Sequence, residues 1–577
     1  MGNCTPKPLL CWRIQDIYPA TLQTLSSGLP PSRTWQFAIA ASLVALVPVN
    51  AWAQGELNFR AVQEVPATLA QAATPVDLSR ASSEATRTVA AVRAPEPATA
   101  AEPGAFRLGI TGWFGSSLGS GFAVDTSRYA PATSTLDARW RARLELDTAE
   151  VPDHWHFLGA VGVDVVDGAA AGRNLAAGDR LPDSRWQTVL FQEAWLGAQY
   201  GKLAGVRAGL MTSHWGLGLV ANDGGNGHSL ERNDWFTPSR SGDRVMRVAV
   251  SFMPLIDTAS VARGLWLTLA ADAVIDDENA RWIDGDRAMQ IVGAGRLYLA
   301  KEQWLGLYAV HRSQRTSGGA DLAVNVVDAA LDLDQRVQGH GLRTQGEAVY
   351  IGGTTSLSPT PDFPTHRLQQ AAAAGRLTWR SRGDLEAQLD LGWFRGDADL
   401  DDGTMTTFHA DRNFRQGLVL FPRVLAWQTG TARLRASDLN LVGVPQADLD
   451  RLASDGAVFN AITIFPKVGW HLTDAGELYA GALLAWAPAP PTDPYTSRTA
   501  TGGQPSTPYG LSPDGHYLGS EVDVGARWRL ALPQGFKTLV QISAEGAILL
   551  PGGALSGSGA APGHVAAGLL RVGLIGR

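Results

Sequence analysis

Cysteine is nearly absent. Cys4 and Cys11 are the two in a chain of 577 residues, and both precede the cleavage site argued below, so the secreted part has none. That excludes disulfide staples, a thiolate nucleophile and cysteine metal sites. Positive charge is not in excess either: 48 Lys and Arg stand against 55 Asp and Glu, for a net charge of −7. A nucleic-acid partner is therefore not expected, because phosphate binding wants a basic face. No apolar run is long enough to cross a bilayer as a helix. The longest, Phe37–Val49, has about 13 residues against the roughly 20 required. A repeat of 40–50 residues with a blade signature, the mark of a soluble β-propeller, is missing too. The 11 histidines fall into no motif that would make a nucleophile–base pair, and neither an enzyme nor a cofactor is expected.

The run Phe37–Val49 follows Arg33 and ends in Ala51-Trp52-Ala53 ahead of Gln54. A basic flank, a short apolar core and an A-x-A site make a secretory signal peptide, with cleavage expected after Ala53. Its long leading region points to a start downstream of Met1. Met1-Gly2-Asn3-Cys4-Thr5-Pro6 does not suit myristoylation, since Pro6 stands where Ser or Thr is required. Residues 54–104 are rich in Ala, Pro, Thr, Val and Glu without a sustained period, which reads as a disordered linker, with a short helix over Leu78–Arg93 as the alternative. The chain thus divides into a signal peptide (1–53), a linker (54–104) and a folded region (105–577).

What the folded region has in abundance is alternation. In Leu136–Asp147 the residues Leu136, Ala138, Trp140, Ala142, Leu144 and Leu146 are apolar, whereas Asp137, Arg139, Arg141, Arg143, Glu145 and Asp147 are charged. A helix would scatter those charges round its circumference, and a strand puts all six on one face. The parity recurs over Leu385–Trp393, Glu521–Leu530 and 539–546. Polar residues at every second position cannot face lipid cheaply, since an arginine at mid-bilayer costs about 2–4 kcal/mol. They must face a wet interior.

Strands are expected near 106–115, 134–149, 154–167, 186–200, 203–212, 244–255, 264–276, 288–300, 303–314, 321–336, 341–354, 369–381, 384–396, 461–473, 476–488, 515–531, 535–550 and 563–576. The fold class is all-β, a single transmembrane antiparallel β-barrel of about 18 strands (16–18). Connections after even strands are short, as in Gln338-Gly339-His340, and those after odd strands are mostly long, notably 213–243 and 397–460. Short periplasmic turns and long external loops alternate in this way in outer-membrane barrels. The parity slips at Val326-Val327, where a β-bulge is expected. Trp113, Trp155, Trp186, Tyr200, Trp304, Trp379, Trp393, Trp470, Trp486 and Trp528 lie near strand ends and fit aromatic girdles.

The expected pore-lining residues are Asp137, Arg139, Arg141, Arg143, Glu145, Asp147, Arg376, Arg380, Glu386, Asp390, Glu521, Asp523, Arg527 and Arg529. Their signs balance, so no bulk ion selectivity follows. The Arg139-Arg141-Arg143 ladder could guide an anion, but the preferred reading is a wall held by neighbouring carboxylates. The connection 213–243 is a candidate constriction loop through Asp223, Glu231, Arg232, Asp234 and Arg240, with a plain surface loop as the alternative. In 397–460, Asp397–Gly403 has the acidity of a calcium loop but places its glycine one residue late and lacks the terminal glutamate. A solvated acidic loop is the expectation, with a short helix over Pro445–Ser454. His154 and His156 share a strand face without a third ligand, so no metal is expected.

The stretch Arg207–Gly224, with Trp215-Gly216-Leu217-Gly218-Leu219 and Asn222-Asp223-Gly224, resembles a group of uncharacterised deltaproteobacterial (myxobacterial-type) outer-membrane barrel proteins that are porin-like. The signal peptide, linker and length are similar as well. The resemblance implies the fold and an outer-membrane location and carries no function. The end of the chain, Leu574-Ile575-Gly576-Arg577, departs from the aromatic barrel-assembly signal. The function expected is a porin-like channel for small solutes or oligosaccharides, and the alternative is a structural or ligand-binding barrel with a plugged lumen. The partners expected are outer-membrane lipids and lipopolysaccharide, the barrel assembly machinery and a small solute. Association with further copies of the chain is left open.

Overall fold

The computed structural model describes residues 105–576 except 126–128, 131–132, 149–153, 171–185, 188, 202, 225–234, 237–241, 257, 259, 301–302, 361, 431–452, 510–511, 533–537 and 558–559. The signal peptide, the linker and the helix expected over Pro445–Ser454 lie outside the described residues or nearly so.

Eighteen long strands follow one another: β1 Ala105–Gly119, β2 Thr133–Asp147, β3 Trp155–Ala170, β4 Leu190–Tyr200, β5 Ala204–Met211, β6 Arg244–Phe252, β7 Leu265–Asp276, β8 Arg287–Ala300, β9 Gln303–Arg315, β10 Asp321–Val337, β11 His340–Thr355, β12 His366–Arg380, β13 Leu385–Phe394, β14 Ala461–His471, β15 Gly476–Trp486, β16 Tyr517–Ala531, β17 Thr538–Pro551 and β18 Val565–Gly576. Each pairs antiparallel with the next, and β18 pairs with β1 from Ile110 opposite Gly576 to Gly119 opposite Ala567. The sheet is closed. Closure leaves no edge strand with unmet backbone groups, which is the condition for a sheet to stand in lipid.

Alternation fixes the two faces. Leu136, Leu144, Val248, Leu269, Ile291, Leu307, Val327, Val524 and Val572 point outward and are exposed, while their sequence neighbours point into the barrel. Gln338 and Gly339, with φ of 53° and 83°, make the two-residue turn between β10 and β11. Positive φ at both central positions matches the twist of the flanking strands.

Two expectations change. The register between β9 and β10 runs unbroken through Val310 opposite Val326 and Ala309 opposite Val327, so there is no bulge there. The parity is constant. Leu322, Val324 and Val326 are apolar although they face inward, because Leu357, Leu368, Met405 and other residues pack against them inside the barrel. Register shifts occur elsewhere, among them where β2 meets β3, at Trp140/Arg141, and where β3 meets β4, at Gly162/Val163. Of the aromatic residues near strand ends, Trp113 and Trp304 turn inward. Arg571 lies 4.9 Å over the Trp113 ring, and Trp304 packs on Trp215 at 5.4 Å. Trp155 and Tyr200 meet edge to face at 5.5 Å on the outer face at the short-turn end.

Candidate functional site

The hydrophobic core lies inside the barrel, and two of the long connections supply most of its loop residues. The first, residues 212–243, leaves β5 and enters the lumen. Trp215 stacks on Tyr308 of β9 at 5.3 Å. Its ring covers Gly306, where a Cβ would stand 2.6 Å from the indole, so a wall glycine is the seat. Further along, Trp235 stacks on Tyr479 of β15 at 5.8 Å and covers Gly469 of β14 in the same manner. Phe236 packs on Phe465 and Tyr479, and its N–H donates to Glu545 of β17 at 3.3 Å. The loop therefore touches the wall on β9–β11 and again on β14–β17.

Between those contacts, the N–H groups of Leu217, Gly218 and Leu219 all donate to the carboxylate of Glu347 on β11, the last two at 2.8 and 3.0 Å. Gly216 has φ of 55°, and a Cβ there would collide with that carboxylate. A left-handed glycine followed by converging N–H groups forms an anion-binding concavity, filled here by a side chain of the wall.

The second inward connection, residues 395–460, repeats the device. Gly417 has φ of 75°, and Leu418, Val419 and Leu420 donate to Glu521 of β16 at 2.5, 2.7 and 2.7 Å. The chain continues into a short π-helix, Leu420–Leu425, whose Leu420, Phe421, Val424 and Leu425 are buried. The two loops touch: the Asp411 N–H donates to the Leu219 carbonyl at 2.8 Å. The Asp397–Gly403 segment spends its carboxylates on turns. Asp397 accepts from the N–H groups of Asp399 and Thr406, and Asp399 from that of Asp401, the ordinary chemistry of aspartate-capped turns.

Of the expected pore-lining residues, those with described side chains lie on the inward face. Asp137 is placed in β2 and its side chain is not described. Most of their charges are bound to other side chains of the wall, on the same strand or one or two strands away. Arg141 holds Asp164 of β3 at 2.6 and 3.1 Å. Arg143 holds Glu193 of β4 and Glu145. Asp390 takes Arg376 at 2.9 Å and Lys467 at 2.7 Å. Arg380 reaches Asp334 at 2.7 Å, Arg527 reaches Glu477 at 3.0 Å, and Arg529 donates to Gln541 at 3.0 Å. His156 stands 2.7 Å from Asp147. Glu386, Asp523 and Arg139 lie on the same face. Of the constriction candidates, Asp223 lies 3.4 Å from His214, whereas Glu231, Arg232, Asp234 and Arg240 are outside the described residues.

Among the described residues, two cavities stand out in the lumen. The outer one, of about 420 Å³, opens among the long connections. The inner one, of about 330 Å³, lies toward the short turns. Ser213, Ala221, Arg247 and Tyr308 line both, so the cavities abut across the first inward loop. Their charges differ. The outer cavity has seven carboxylates (Asp243, Asp277, Glu278, Asp397, Asp411, Asp455, Asp493) and three arginines (Arg247, Arg312, Arg412). The inner cavity has Arg207, Arg247 and Arg296 and no carboxylate in its lining. Arg247, at the junction, is held by Asp272 at 2.6 Å. Sequence reading missed both loop anchors, since Glu347 and Glu521 look like any other inward charge. The available signal was apolar density within supposed external loops, Trp235-Phe236 and Leu418–Phe421.

The structure thus defines a closed 18-stranded antiparallel barrel with at least two connections folded into its lumen. No family model and no curated protein matches the chain. Among solved structures it is similar to three of Pseudomonas aeruginosa. With OccK11 (OpdR) it shares 9% identity at a TM-score of 0.41, over 82% of this chain and 98% of that one. With OccD3 (OpdP) the values are 9%, 0.41, 83% and 95%, and with OccK2 (OpdF) 10%, 0.43, 82% and 98%. The barrel assigned above rests on its own strand pairing and not on this likeness.

Proposed function

We propose that the protein is an outer-membrane porin-type channel for small solutes, whose path runs from the acidic outer cavity past Ser213, Ala221, Arg247 and Tyr308 into the basic inner cavity. The observation that carries this reading is the abutment of two cavities across the first inward loop. The outward apolar face supports residence in a bilayer, and the Arg207–Gly224 stretch supports kinship with deltaproteobacterial barrels. The signal peptide, cut after Ala53, would deliver the chain across the inner membrane. Cavities of this size hold one small ligand, so the solute class is monosaccharide- or amino-acid-sized rather than polymeric. With acid at the outer cavity and base at the inner, selectivity between simple ions is weak.

The test is conductance of the refolded mature chain in planar bilayers. Discrete steps with a reversal potential near zero in a salt gradient are expected. A specific observation favours the second reading, a plugged binding barrel: Leu219, Val419, Leu420, Phe421 and Leu483 are wholly buried inside the lumen. A correctly folded barrel that passes no current would establish that reading in place of the channel.

A further inference from the structure

Where the two inward loops meet the wall, three carboxylates converge. Asp243 ends the first loop just before β6, Glu278 sits in the β7–β8 connection, and Asp411 belongs to the second loop. One oxygen from each lies within 4.8 Å of the others. Asp411 is 6% exposed. Its Oδ1 accepts from the Asn413 N–H at 2.7 Å, but its Oδ2, shut off from solvent, has no hydrogen-bond donor. Asp243 Oδ1 is in the same position.

The cations nearby are mostly engaged elsewhere. Arg312 is bound to Asp277, and Arg244 and Arg281 share Asp276 at 2.8 and 3.4 Å. Arg412 lies 3.3 Å from Glu278, and Arg312, although bound to Asp277, is close enough to feel the charges of Asp243 and Glu278. Neither arginine gives a hydrogen bond to Asp411 Oδ2 or Asp243 Oδ1, and buried charge is costly unless compensated.

We propose that Asp243, Glu278 and Asp411 bind a divalent cation, calcium by the hardness of the donors, and that the ion ties the second inward loop to the barrel wall. All donors are carboxylate oxygens, the choice of calcium and not of zinc or copper. Oxygens held about 2.3–2.6 Å from a common centre can be no more than roughly 5 Å apart, and the 4.8 Å spread meets that. Burial first, and then the charge of Glu278, push the Asp243 and Asp411 carboxyls well above the usual carboxylate range, and at Asp243 the charge of Asp411 adds to this.

The refolded mature chain, stripped with a chelator, is titrated calorimetrically with calcium chloride. One ion per chain is expected, with Kd of about 10⁻⁴–10⁻³ M as in extracellular modules, weaker at lower pH, and with an unfolding temperature that rises with calcium. Asp411→Asn and Glu278→Gln, each checked as folded by heat-modifiable migration, lose both responses. If Asp411→Asn does not fold, Glu278→Gln and Asp243→Asn carry the test. A folded wild type that binds no calcium overturns the proposal, leaving Arg412 and protons as the compensation. Undiminished binding in the folded variants overturns it too, since the ion then sits elsewhere.

Discussion

The segments Gly216–Leu219 and Gly417–Leu420 are held by one device and put to different uses. Each begins with a left-handed glycine, each turns three consecutive N–H groups onto one glutamate of the wall, and each glutamate has a fully buried aspartate as neighbour on its face, Asp328 for Glu347 and Asp523 for Glu521. Beyond the anchor they diverge. The second loop runs into an apolar π-helix and fills space. The first remains a thin partition whose ends, Ser213 and Ala221, border both cavities. A local hydrogen-bond device thus sets where a loop sits, and the residues following it decide whether the loop acts as filler or as partition.

Removing the anchors should separate these roles. Glu521→Ala strands three N–H donors in a dry core, at about 1–3 kcal/mol for each buried donor left unmet. We expect the largest effect here: a loss of about 3–6 kcal/mol and poor recovery of heat-modifiable barrel. Glu347→Ala removes the same number of bonds beside two cavities, where water can replace the acceptor. The stability loss should be about 1–3 kcal/mol, accompanied by larger and noisier conductance. Equal stability losses in the two variants would show that the loops do not differ as described.

The arginine ladder offers a contrast of the same kind. Arg141 and Asp164 are both almost fully buried, so Arg141→Ala leaves an uncompensated carboxylate, a change that costs about 3–5 kcal/mol in other buried pairs. Urea unfolding should register that loss, while the reversal potential in a salt gradient stays within a few millivolts of wild type. A clear shift in reversal potential would restore the ladder as a guide for anions. A milder probe is Gly306→Val, which occupies the seat of Trp215 while suiting a strand. It should displace the indole and raise conductance with little loss of barrel stability.

The strands were legible because lipid on one side and polar groups on the other impose a period of two over the whole folded region, and closure needs nothing else. Leu136–Asp147 shows this with no aid from structure. The lumen was not legible because burial there reverses the code. Leu322, Val324 and Val326 face inward and are apolar, so the alternation seems to slip although the register does not. Likewise Glu347 and Glu521 carry no mark that separates an anchor from a pore-lining charge. What singles them out is the N–H groups of segments 128 to 130 and 101 to 103 residues away in sequence, a relation that no local pattern records.

The finest test of the two-loop comparison is acid. His409, in the second loop, packs its ring 4.9 Å from that of Phe459, and burial pushes its pKa down to about 4. A histidine favoured as neutral in the folded state contributes stability that is complete above its ordinary value of about 6.5 and is lost as pH falls toward 4. Asp243 and Asp411 act with the opposite sign. Their carboxyls are held above the usual range, so protonation in the folded state relieves repulsion as pH falls. The total for wild type mixes both contributions, and the variant His409→Gln removes one. The unfolding temperature of wild type should therefore fall relative to His409→Gln between about pH 6.5 and pH 4, with a constant difference near pH 8 and above. Parallel curves would mean that water reaches His409 and that the second loop is less tightly seated than the burial around Glu521 implies.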